Sequence, residues 1–108
     1  MVLRFEWDPA KADSNIRKHY VAFDEASTVF SDPLAAIFDD EEHSNAENRE
    51  IIIGHSVLGR LLIVSFVQMS RTAIRIISAR TVPKTERREY EEGFSKQGAR
   101  SSLRRSSF

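Results

Sequence analysis

Apolar and polar residues alternate first over residues 2–7, where Leu3, Phe5 and Trp7 take one side and Val2, Arg4 and Glu6 the other. That period of two predicts a short strand. Asp8-Pro9 then signals a helix start. An aspartate at the N-cap accepts from a free amide, and a proline at the first helical position loses no hydrogen bond. The helix is expected to run to about His19, with a thin apolar face of Ala10, Ala12 and Ile16. Phe23, Ala26, Ser27 and Phe30 recur at the spacing of a second, short amphipathic helix. Ser31-Asp32-Pro33 ends it, because proline cannot continue a helix.

Residues 34–38 read as a strand, and the Asp39-Asp40-Glu41-Glu42-His43-Ser44-Asn45 run as a solvated loop. Residues 49–55 and 60–68 form a predicted hairpin whose connection, Ser56-Val57-Leu58-Gly59, contains the glycine such a turn needs. A turn near residues 69–72 leads into a strand over 73–79, and Pro83 opens a polar helix over 84–92 that Gly93 stops. Residues 94–108 are Ser-rich and basic without an acid, the composition of a disordered tail. The order is β-α-α-β-β-β-β-α, an α+β protein with a mainly antiparallel sheet and its helices on one side. One domain over residues 1–93, followed by the tail, suits a chain of 108 residues.

The absence of cysteine removes disulfides, thiolate metal sites and cysteine nucleophiles, and fits a reducing compartment. The longest apolar stretch, residues 61–67, is too short to span a membrane, and no basic segment followed by a long apolar run opens the chain. A cytoplasmic protein without a signal peptide is expected. The zero net charge hides a split: residues 1–50 hold 5 basic and 12 acidic side chains, residues 51–108 hold 11 and 4. Either the fold has a basic working surface, or the halves interleave and their charges mix.

On the last strand Arg75, Ile77 and Ala79 are expected on one face, and Ile74, Ile76, Ser78 and Arg80 on the other. Arg60, Arg80, Lys84, Arg87 and Arg88 would either converge on a phosphate, which a guanidinium fork matches, or form a solvated basic surface with ordinary ion pairs. His19, His43 and His55 are candidate proton carriers, though His43 sits in the acidic loop, His55 beside a turn and His19 where a helix dipole favours its cation. Glu86 and Tyr90 share a helix face, either as proton acceptor and donor or as a solvated stripe. Trp7 and Phe5 belong to the core rather than to a stacking surface. Gly-rich phosphate loops, nucleophile elbows and metal-ligand clusters are absent from the sequence.

Phe5-Glu6-Trp7-Asp8-Pro9-Ala10-Lys11, Asn15-Ile16-Arg17-Lys18-His19 and Phe23-Asp24-Glu25-Ala26 resemble the opening of the BrnT family of type II toxins. Ile52-Ile53-Gly54, Gly59-Arg60-Leu61-Leu62, the run from Ile74 to Arg80, and Glu86-Arg87-Arg88-Glu89-Tyr90 continue the likeness, which covers residues 3–92. The resemblance implies a RelE-like fold and a metal-independent endoribonuclease that cuts mRNA and arrests translation and growth. It needs no cofactor. It also implies a BrnA-like antitoxin, in a 2:2 heterotetramer formed through the antitoxin, with operator DNA bound only through that partner. Mapped here, Arg60, Arg75 and Arg80 carry phosphate charge with Lys84 assisting and Arg87 and Arg88 on the RNA, while His19, Glu86 and Tyr90 transfer protons. A catalytically silent module that binds its antitoxin or RNA without cutting is the alternative, and a basic RNA-binding domain with no toxin role a third. Two positions depart from the family pattern: Tyr20 stands where glycine is common, and Ala22 where a helix-capping residue is.

Overall fold

A computed structural model of the chain describes residues 2–40 and 48–83. His43, the expected helix over residues 84–92 and the tail over 94–108 lie outside the described residues. Strands β1 (Arg4–Glu6), β2 (Ala36–Asp39), β3 (Arg49–His55), β4 (Leu61–Gln68) and β5 (Ala73–Thr81) form one sheet in the order β1-β5-β4-β3-β2. β2 to β5 make an antiparallel meander, and β1 joins β5 in parallel. Helices α1 (Pro9–His19) and α2 (Phe23–Thr28) pack on one face, the second running on into a 3-10 turn, Val29–Ser31.

Local chemistry sets these boundaries. Asp8 caps α1 by accepting from the Ala10 amide at 2.9 Å, with proline in the first turn. The strand expected from residue 34 starts two residues later. The Asp32 carboxylate accepts from the Leu34 amide and the Asp32 carbonyl from Ala35, which holds Pro33 and Leu34 in a turn. At the β3–β4 connection Gly59 takes φ +81°, and its amide donates to the Ser56 carbonyl at 2.9 Å. Gly54 marks a close approach, since a Cβ there would lie 2.8 Å from that of Ala35.

The main core lies between helices and sheet. Val21, Phe23, Ala26 and Val29 meet Ile52, Leu62, Val64, Phe66, Ile74, Ile76 and Ala79. Phe5 and Trp7 border it: Phe5 stacks at a tilt on Phe30, which stands edge-on to Phe66, and Trp7 stands edge-on to Phe23. The opposite face carries a smaller cluster of Ile51, Ile53, Leu61, Ile63 and Val82.

Strict alternation along β5 fails at Ile77. Ser65 pairs with Ser78 but Phe66 with Ile76, so Ile77 is an extra residue in a β-bulge. Ala79 therefore joins Ile74 and Ile76 in the main core, and Arg80, opposite Ile63, faces the same way as Arg75, opposite Val67. The expected placement of Arg75 and Arg80 on opposite faces is thereby corrected.

β1 reaches only as far as Arg75 along β5. Farther on, Asn15 of α1 takes up the backbone. Its Nδ2 donates to the carbonyls of Ala79 (2.8 Å) and Val21 (2.9 Å), and its Oδ1 accepts from the Ala79 amide at 3.1 Å. α1 then closes on Tyr20 at φ +59°, whose amide donates to the Ile16 carbonyl. A Cβ crowds the left-handed conformation, so tyrosine is strained there by about 1 kcal/mol. Ala22 caps α2 with no side-chain bond, which forgoes about 1 kcal/mol relative to serine or aspartate.

Two expectations follow. Asn15→Ala deprives buried backbone groups of their partners and should cost about 2–3 kcal/mol in urea unfolding. Tyr20→Gly should raise stability by about 1 kcal/mol in the same measurement.

Candidate functional site

The end of α1, the β3–β4 turn and the last residues of β5 come together at one end of the sheet. Asn15 sets this convergence: the two carbonyls on its amide belong to the neighbours of Tyr20 and of Arg80. Arg17, Lys18 and His19 fill the last turn of α1, exposed to solvent. Basic side chains there complement the helix dipole and leave a positive knob on the surface.

Arg60 locks the turn to α2. Its Nε donates to Glu25 Oε2 at 2.9 Å, its Nη2 donates to Glu25 Oε1 and, at 3.0 Å, to the Tyr20 carbonyl. The Ser56 hydroxyl donates to Glu25 Oε2 at 2.6 Å, and Thr28 Oγ1 accepts from the Val57 amide at 2.9 Å. The Glu25 side chain is 8% exposed, that of Arg60 37%. Hydrogen bonds from Arg60 hold the Glu25 carboxyl below its ordinary range; burial opposes them and the Ser56 bond adds to them. The Arg60 guanidinium is thus already held by a carboxylate.

Asp32 does a related task beside it. The His55 amide donates to its Oδ2 at 2.8 Å and is the main reason its pKa is lowered, against burial and with help from the Leu34 amide. The His55 ring lies 3.8 Å from the same carboxylate. A groove of about 560 Å³ passes here, lined by Ser27, Thr28, Asp32, His55, Ser56 and Val57 among others.

Of the candidate residues, this end of the sheet brings together His19, Arg60 and the backbone at Arg80, whose side chain leaves by the other face. Arg75 is not brought there. Its Nε lies 3.6 Å from Glu6 near the start of β5, and it lines a smaller cleft of about 120 Å³ with Asp8, Lys11 and Arg49. Lys84, Glu86, Arg87, Arg88 and Tyr90 lie outside the described residues. Among the described residues no three or more His, Cys, Asp or Glu side chains gather as a metal site would need.

Sequence reasoning passed over Asn15, Glu25 and Arg49. Asn15 and Glu25 act through partners 64 and 35 residues away, and no local spacing announces such pairs. Arg49 read only as the start of a strand. It reaches the Arg75 cleft because both residues pair with Val67 in the sheet register.

The family model described as the ribonuclease toxin BrnT of type II toxin–antitoxin systems matches residues 7–86. The chain belongs to that family. No curated protein sequence matches it. Among solved structures, that of the Brucella abortus ribonuclease toxin BrnT is similar, with 25% identity, a TM-score of 0.59, and coverage of 77% of this chain and 100% of that one. The α+β architecture agrees with that structure. Membership also brings an antitoxin as partner. No helix of the described residues is long and apolar enough to cross a membrane.

Glu25→Ala should strand the Arg60 guanidinium and cost about 2–3 kcal/mol, less than for a fully buried pair because Arg60 is partly solvated. The folded pKa of Glu25 lies below its unfolded one, so its contribution is complete above the ordinary glutamate range and is lost as pH falls through the folded value. Urea titrations from about pH 6 to about pH 3 should therefore show a steeper loss in the wild type than in Glu25→Gln.

Proposed function

We propose that this chain, as a member of the BrnT family, is an endoribonuclease that cuts mRNA in the cytoplasm and so arrests translation, without needing a metal ion. A BrnA-like antitoxin would neutralise it in a 2:2 assembly built on an antitoxin dimer, and operator DNA would be bound through that partner alone. The observation that supports the cleavage reading best is the exposed basic last turn of α1, Arg17 to His19, which Asn15 fixes against the end of β5.

Cleavage needs a base for the ribose 2′-OH, positive charge for the phosphorane-like transition state, and an acid for the departing 5′-oxygen. The 2′-oxygen bonds to phosphorus, the bond from phosphorus to the 5′-oxygen breaks, and the proton ends on that oxygen. The products are a 2′,3′-cyclic phosphate and a 5′-hydroxyl. In this reading His19 transfers a proton, with Glu86 and Tyr90 as the other candidates. Arg80 bears phosphate charge, assisted by Lys84. Arg60, engaged by Glu25 and the Tyr20 carbonyl, positions the α1 end. Arg75, in its cleft with Arg49 and Lys11, would hold the strand farther along, and Arg87 and Arg88 are further RNA contacts.

The test is cleavage of a labelled RNA by the purified chain. Arg80→Ala should lower kcat/KM by about 10²–10³-fold and His19→Ala by about 10²–10⁴-fold. Arg75→Ala should mainly raise KM. Growth arrest on expression should track the same order. A wild-type chain that binds RNA and never cuts it would replace this reading with that of a silent binding module.

A further inference from the structure

Tyr20 combines three features that a helix end does not require together. Its backbone sits in the left-handed region, where glycine fits without strain and an aromatic residue does not. Its side chain is among the most exposed large apolar groups described, at 78%. Its carbonyl is bound by Arg60 and the next residue's by Asn15, so the strained backbone is anchored on both counts. Strain of this kind persists where the surrounding structure enforces it, and it concentrates at ligand sites.

What stands around the ring decides the ligand. Arg17, Lys18 and His19 precede it on the last turn of α1, and Ile16, itself 45% exposed, lies one turn back. A projecting aromatic beside a basic run is the arrangement by which proteins hold single-stranded nucleic acid. The cations follow the phosphates and the ring stacks on an unpaired base. We propose that Tyr20 is a nucleobase-stacking platform that fixes one unpaired base of the RNA beside the basic end of α1. This rests on the ribonuclease reading above and adds a substrate contact to it. The contact is sequence-tolerant, because every base presents a π face. It also requires the RNA to be single-stranded at that point.

The experiment uses the full chain and a 2′-O-methyl RNA oligonucleotide, which has no free 2′-OH to attack and so reports binding alone. Affinity is measured by fluorescence anisotropy for wild type, Tyr20→Phe, Tyr20→Leu and Tyr20→Gly, with thermal unfolding in parallel. Tyr20→Phe should bind as the wild type does. Tyr20→Leu and Tyr20→Gly should bind about five- to a hundred-fold more weakly, while the Tm of Tyr20→Gly rises by about 4–8 °C. Tighter folding with weaker binding is what a merely structural tyrosine would not produce. Equal binding by Tyr20→Gly, or intact RNA binding with loss of antitoxin capture, would overturn the proposal. If the wild type neither binds the oligonucleotide nor cuts its unmodified counterpart, the ribonuclease reading falls with it. A wild type that cuts and a glycine variant that binds equally well would remove the platform alone.

Discussion

One amide side chain holds the helical layer in register with the sheet. β1 is three residues long and leaves β5 after Arg75, so the second half of β5 would present bare backbone to the helices. Asn15 completes it with the donor and acceptor pair that a neighbouring strand would offer, and with its second donor holds the Val21 carbonyl. An apolar residue there would fill the volume and leave three backbone groups dry, each costly in a buried setting. The position of α1, and everything on its last turn, follows from this one residue.

A second layer of constraint is electrostatic. Among the described residues, three contacts tie the acid-rich first half to the base-rich second half. Glu6 faces Arg75, Glu25 grips Arg60, and Asp32 accepts from the His55 backbone beside its ring. Each contact joins an acid from the first half to a residue of the second. The cancellation in the composition is therefore partly a set of cross-links within the fold. These contacts differ in weight. Glu6 with Arg75 is exposed on both sides and contributes little, whereas Glu25 with Arg60 is bidentate and half out of water. One carboxylate goes against the trend: Glu50 sits across from Asp39, and burial, with that neighbouring charge, raises its pKa.

The elements visible in the sequence were those whose signals are local. The alternation of β1, the Asp8-Pro9 start of α1, and the Gly59 turn between β3 and β4 all depend on neighbours a few residues apart, and all stand where expected. The left-handed Tyr20 and the uncapped Ala22 were legible only by comparison with a family pattern, since neither residue announces strain by itself. What escaped notice was long-range. Glu25 reads as an ordinary first-turn acid, Asn15 as a helix-surface polar residue, and Arg49 as a strand opening. Their roles appear only when chain folding delivers Arg60, Ala79 and Arg75. The candidate site was thus half legible: its residue types could be named, their grouping could not.

The bulge at Ile77 has a consequence that concerns counting rather than chemistry. β5 is two strands in opposite phase, joined by one unpaired residue: even positions are inward before it, odd positions after it. Were Ile77 drawn into regular pairing with β4 instead of bulging out, the downstream stretch would invert its parity. Arg80 would turn toward Phe23 and Val64, and Ala79 would turn to the other side. The facing of Arg80 therefore depends on one residue being left out of the pairing with β4. The basic end of the sheet is specified by an integer.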